Sequence, residues 1–332
     1  MTVIGKKKLK ILLLIAGFIF LCVLIYKVGP ASIYLHLSLL KWKISLLLLP
    51  YPLVFVLDTL GWKYSFRERK TSFKNLFLVR LAGESVNIII PSASFAGEPV
   101  KAYFLKRHNI PMVDGIASVV ISRAIMTITQ IIFVMLGVGF ILFKLNISGS
   151  RLISSIAITL LGIPIILFII FIQKRGLFAS LLKLLRIFRI RLRYIEDREH
   201  KLKELDESIF QFYSHSKKSF FISFTFYFLG WIAGMIEVFL ILYLLGIPID
   251  LISTYIIESL STVARGITSF IPGSVGGQEG GIIMIFMSLE LSASVALTFG
   301  ILRRLRELIW ITAGLFILSR LEWAIAESTT EK

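Results

Sequence analysis

Residues 90–104 read IPSASFAGEPVKAYF and residues 271–286 read IPGSVGGQEGGIIMIF. Each stretch interrupts an apolar run with Ile-Pro, small residues, glycine and then a glutamate. Proline ends a helix and frees carbonyls, glycine allows a sharp turn and close backbone approach, and the half-helix that follows opens with unpaired N–H groups. Such a turn can receive an anion or a polar headgroup. The spacing predicts helical arms over 72–90 and 97–106 around the first break, and over 251–270 and 276–289 around the second. The second arm of each pair is too short to cross about 30 Å of hydrocarbon comfortably. Each hairpin, 73–106 and 251–289, is therefore either a re-entrant loop or a pair of thin, tilted spans.

The rest of the chain sets the solvent. Over 332 residues, 56% are hydrophobic and the mean hydropathy is +0.84, far above a soluble globular chain. Weakly charged runs at 11–26, 44–62, 124–143, 152–173 and 219–236 approach the roughly 20 residues of a membrane-crossing helix. They are too long for barrel strands, and lipid-exposed backbone must satisfy its own hydrogen bonds, so the expected architecture is all-α. About six full transmembrane helices plus the two broken hairpins are expected in one domain, 1–332. The N-terminal MTVIGKKKLK followed by an apolar run also has the outline of a signal peptide. The lack of a small-residue cleavage site after it, Lys27 and the next apolar segment favour a retained anchor.

The formal net charge is +17, and its placement reads as topology. The loop 63–80 carries Lys63, Arg67, Arg69, Lys70, Lys74 and Arg80 against Glu68, and 174–218 is a second basic reservoir. Both are expected in the cytoplasm, as are the two termini. The stretches around Asp250 and before Arg151 are nearly uncharged and fall outside. No zinc spacing or aromatic pattern of nucleic-acid recognition accompanies the basic clusters, so nucleic acid is not an expected partner, nor is a metal or other cofactor. Within the linker 174–218, Leu177, Leu181, Leu185 and Phe188 recur at helical spacing among basic residues, as in a helix lying on headgroups. Ile195, Leu202, Leu205, Ile209 and Phe212 form another stripe, expected to pack and orient the bundle.

A shift of 181 residues lays Pro91 on Pro272, Glu98 on Glu279 and Arg123 on Arg304. Counting positive charges reverses the direction of the helices before the two hairpins, so the expected repeats, 44–143 and 219–320, are inverted. Inverted repeats whose broken helices meet near the bilayer midplane recur among transporters. An ionised side chain at the bilayer centre costs at least about 2.5–3.5 kcal/mol and normally faces a partner or a wet cavity. Arg123 lies about 14 Å of helix beyond Asp114, and Arg304 sits within the apolar run 292–319. The arginines Arg123 and Arg304 are expected to pair with Glu98 and Glu279 around a central cavity, in a combination the sequence leaves open. Arg303 and Glu307, four apart, can pair on one helix face. Glu84, Asn87, Glu258 and Arg265 flank the turns, whereas Asp58 and Glu237 read as structural.

At these residues, IPSASFAGEPVKAYFL, the arginine of SVVISRAIMT, FIPGSVGGQEGG and ILRRLREL, the chain resembles the lysylphosphatidylglycerol synthase transmembrane, or flippase-like, family over about residues 5–322. The resemblance implies a polytopic helical domain that moves aminoacylated phospholipids or related polar lipids between leaflets. By position it singles out Pro91, Gly97, Glu98, Arg123, Pro272, Gly276, Gly277, Glu279 and Arg304. Ala96 stands where a second glycine is expected. No stretch corresponds to the soluble aminoacyl-transfer domain of bifunctional members, so lysine transfer is not expected. The expected function is transport of a polar, anionic or polyprenyl-phosphate-linked lipid across the cell membrane, not catalysis. The alternatives are a membrane-embedded glycosyl or phosphoryl transferase, for which Glu196, Asp197 and Glu199 are the tight acidic group, or a scaffold for a lipid-modifying enzyme.

Overall fold

The computed structural model describes residues 22, 23, 26, 30–66, 71–90, 95–108, 110–144, 160–187 and 199–330. Most of the expected N-terminal anchor, Pro91, Arg67 to Lys70, Phe188, Ile195, Glu196 and Asp197 lie outside the described residues. Every regular element among the described residues is helical. In chain order they are α1 (Pro30–Leu40), a 3-10 turn (Lys41–Leu48), α2 (Pro50–Lys63), α3 (Phe73–Ile89), α4 (Gly97–Arg107), α5 (Met112–Lys144), α6 (Gly162–Arg175), α7 (Leu177–Ile187), α8 (Glu199–His215), α9 (Lys217–Leu244), α10 (Leu251–Thr268), a 3-10 turn (Pro272–Ser274), α11 (Gly277–Ser288) and α12 (Ala293–Thr330). Both predicted breaks fall where Pro and Gly placed them, between α3 and α4 and between α10 and α11.

Among the described residues, three helical stretches are long and apolar enough to cross a membrane, Lys41–Lys63, Met112–Lys144 and Lys217–Leu244. The pair Gly162–Arg175 and Leu177–Lys183, bent by 89°, makes a fourth if counted as one span. α12 is longer than any of them at 38 residues. Arg303, Arg304, Arg306 and Glu307 interrupt its apolar character within two turns.

The chain divides into two compact units. The first comprises Met1–Val54, Arg80–Glu98 and Ile232–Lys332. Its core joins Val238, Ile241 and Leu242 of α9, Ile257 of α10, Ile282, Ile285 and Phe286 of α11, and Val295, Phe299 and Leu302 of α12. α9 ends where Gly246 adopts a positive φ of 73°. There the Gly246 N–H donates to Tyr243 O and the Ile247 N–H to Leu242 O, each at 3.0 Å, so a Schellman turn closes the helix and Pro248 cannot resume it. α10 then restarts at Asp250, whose carboxylate accepts the Ser253 N–H and hydroxyl, both at 2.9 Å.

α10 and α11 pack closely through small residues. A Cβ on Gly277 would lie 2.5 Å from Thr268 Cγ2, and one on Gly281 2.7 Å from Ala264 Cβ. These two glycines, four apart, present bare backbone to a matching pair on α10. Close backbone approach of this kind holds helices together where lipid removes the hydrophobic drive.

The second unit comprises Phe55–Val79 and Pro99–Trp231. Ala117, Ile121 and Ile125 of α5 bury Leu205, Ile209 and Phe212 of α8 together with Tyr227, so the second stripe of the basic linker packs and orients, as expected. Hydroxyls and indoles join the helices: Ser122 hydrogen-bonds Tyr227, Trp62 Nε1 donates to Ser118 at 3.3 Å, and Trp231 Nε1 donates to Thr129 at 3.2 Å. Burial pushes the Tyr213 phenol in α8 well above its ordinary range, and the ring belongs to the same core. Between α6 and α7 the chain turns at Gly176, at φ 96°. Asp206 of α8 accepts the Phe178 and Ala179 N–H groups at 2.9 and 2.8 Å, capping α7 from a neighbouring helix.

Candidate functional site

The first unit carries a cavity of about 80 Å³, room for a few waters or one small polar group. Both breaks border it. The first contributes Glu84 and Asn87 from α3, the second Gly273, Ser274 and Gln278, and Arg265, Arg304 and Glu307 complete the polar wall.

At the first break, Asn87 bridges the gap. Its Oδ1 accepts the Gly97 N–H at 2.6 Å, giving α4 a partner for its first amide. Its Nδ2 lies 3.3 Å from Glu84 Oε2 and 3.5 Å from Glu98 Oε1. Glycine is required at 97 because a Cβ there would run into the Gly83 carbonyl and lie 2.9 Å from Asn87 Cγ. Glu98 is half-buried beside this junction.

At the second break, Pro272 opens the 3-10 turn, and Gly273, Ser274 and Gly276 all take positive φ, at 61°, 52° and 79°. Glu279 and Arg304 hold that backbone. Glu279 Oε2 accepts the Gly276 N–H at 2.7 Å, so the start of α11 is capped by a carboxylate of the chain itself, which also suits the helix dipole. Its Oε1 accepts Arg304 Nε at 2.7 Å. The remaining Arg304 donors reach the Gly273 carbonyl, Glu307 Oε2 at 3.0 Å, and the Ser274 carbonyl at 3.1 Å. Of the combinations the sequence leaves open, Arg304 with Glu279 is the one formed here, and it serves to hold the turn.

Behind this clamp lies a buried charge cluster. Arg303 Nη2 sits 2.9 Å from Glu258 and 3.7 Å from Glu237. Arg306 pairs with Glu237 and stacks its guanidinium 3.8 Å over the Tyr51 ring, a favourable desolvated cation–π contact. Glu307 reaches Arg265 at 3.3 Å, Arg304 at 3.0 Å and Arg306 at 3.8 Å. The expected Arg303–Glu307 pair does not form. Glu258 projects from α10 onto Arg303, whereas Glu307, one turn on, faces the other three arginines.

Sequence reasoning passed over Arg306, which is 2% exposed, although it lies three residues beyond Arg303 on the same helical face. Glu237, read from the sequence as structural, belongs to the cluster. Gly277, the other glycine of the second motif, packs α11 on α10 as described above. Arg123 lies in α5 in the second unit and does not line the cavity. Its side chain is half-buried.

Fold and site together define a helical membrane protein with a polar, ion-paired cavity where two interrupted helices come together. The chain belongs to the family described as the lysylphosphatidylglycerol synthase TM region, whose model matches residues 9–314. It is 26% identical to a UPF0104 membrane protein of Methanothermobacter thermautotrophicus over 89% of this chain and 90% of that one. It is 23% identical to one from Methanocaldococcus jannaschii, covering 76% of each chain. A Pyrococcus horikoshii protein of the same description is 26% identical over 74% of this chain and 77% of its own. No solved structure matches. The family description places the chain among membrane proteins of lipid-related pathways.

Proposed function

We propose that the chain moves a polar or anionic lipid between the leaflets of the cell membrane, with the headgroup passing through the cavity at the two breaks. One observation carries this reading: Arg265, Arg304, Glu84 and Glu307 line a polar cavity bordered by both interrupted helices, and Arg303, Arg306, Glu237 and Glu258 are buried and ion-paired behind it. Charges of this density within membrane segments mark substrate or ion pathways. The family membership supports a lipid as cargo. In this reading the repeats 44–143 and 219–320 are inverted, the N- and C-termini are cytoplasmic, and the two breaks open alternately to either side. A driving lipid gradient or a proton supplies the energy.

The test is leaflet exchange in liposomes. Purified protein is reconstituted with fluorescent phosphatidylglycerol and phosphatidylethanolamine analogues, and a membrane-impermeant quencher reports the accessible fraction over time. Protein-dependent loss of protection for at least one analogue is expected. Equal kinetics with and without protein, across both analogues and with an imposed pH gradient, would remove the transport reading.

A further inference from the structure

Every partner of Glu307 in the cluster is an arginine, on α10 or on its own helix. The other three carboxylates differ. Glu279 is committed to the Gly276 amide and to Arg304, while Glu237 and Glu258 pair behind the cavity wall with Arg303 and Arg306. Glu307 borders the cavity and holds no backbone group in place.

Around it the arginine donors are incompletely used. Among the described residues, the buried nitrogens Arg265 Nε, Arg306 Nε and Arg306 Nη2 have no hydrogen-bond partner; Arg265 lines the cavity, and Arg306, 2% exposed, lies behind it. Arg265 is 41% exposed and therefore free to reorient toward an incoming group. Unused buried donors of this kind are costly and call for an acceptor. The two non-bridging oxygens of a phosphodiester match the guanidinium fork as a carboxylate's do.

We propose that Glu307 is a resident counter-anion standing where a ligand phosphate binds, and that a phosphodiester headgroup entering the cavity displaces it from Arg265 and Arg304. Arg265 and Arg304 each lose one carboxylate partner when Glu307 withdraws from them, and a single phosphodiester charge takes its place. Glu84 across the cavity disfavours a second negative charge, so a singly charged lipid diester fits better than a free phosphate dianion. Glu307 keeps Arg306, 3.8 Å away, as its partner. This rests on the transport reading only for the origin of the headgroup.

Full-length protein in detergent is titrated with dihexanoyl phosphatidylglycerol, with inorganic phosphate and with dihexanoylglycerol. Glu307→Gln removes the competing charge and is expected to bind the short-chain phospholipid about tenfold more tightly than the wild type. Arg265→Gln is expected to bind it about tenfold more weakly. Glu307→Asp, which keeps the charge but retracts it, gives an intermediate gain and serves if the glutamine variant does not fold. A folded Glu307→Gln or Glu307→Asp protein that binds the phospholipid no better than the wild type overturns the proposal. Inorganic phosphate binding as tightly as the phospholipid overturns its lipid part. The expected binding pattern without leaflet exchange leaves the counter-anion role standing and counts against transport alone.

Discussion

Arg304 shows how much one side chain is asked to do. It donates to two carbonyls of a turn in the left-handed region and to two carboxylates, a set that a planar five-donor fork can satisfy and a single ammonium cannot. Arg304→Lys is therefore expected to lower stability substantially, and Arg304→Gln to cost about 3–5 kcal/mol by leaving buried carboxylates uncompensated. Thermal unfolding of the detergent-purified protein, followed by intrinsic fluorescence, checks this. Unchanged melting in both variants would show that the turn holds itself. The sequence flagged Arg304 and Glu279 because ionised groups are rare in apolar runs. It could not show that their first task is to fix the backbone, since that depends on where the Gly273 and Ser274 carbonyls point.

Helix by helix, legibility followed the punctuation. Pro91, Gly97, Pro272 and Gly276 located both breaks to within a few residues, because helix termination is a local property. The registry of α10 on α11 was not legible, as it depends on which small residues face each other. Gly277→Ala is expected to force the arms apart at Thr268, whose β-branched side chain has little room to yield, at a cost of about 1–3 kcal/mol. Detergent melting measures the loss, and Met284→Ala on the same helix, at a residue 74% exposed, provides the control with a far smaller change. The linker poses a different question. Its periodicity predicted two amphipathic helices, but nothing local announced that Asp206 of one would cap the other. Asp206→Ala removes the acceptor for two amides at the start of α7 and is expected to cost about 1 kcal/mol. Hydrogen exchange over residues 177–183 is expected to accelerate, with α5 unaffected. Unaltered exchange there would mean that the 89° bend does not depend on the cap.

Across the molecule, polar groups are divided by kind. The second unit joins its helices with hydroxyl, indole and phenol hydrogen bonds, whereas the first concentrates paired arginines and glutamates at and behind the wall of its cavity. Neutral bonds would serve for packing alone, and a buried ion pair often gives no more stability than apolar residues of similar volume. The Arg303–Glu258 pair separates these roles, because among the described residues Glu258 has no other basic partner. Arg303→Met strands a buried carboxylate and is expected to destabilise by about 3–5 kcal/mol, while the double variant Arg303→Met, Glu258→Met is expected to recover most of that loss. If the cluster exists to carry a headgroup, the recovered double variant exchanges lipid far more slowly than the wild type in liposomes despite its restored melting temperature. Wild-type exchange by a stable, apolar-substituted protein would instead make this pair a packing device and move the transport path elsewhere.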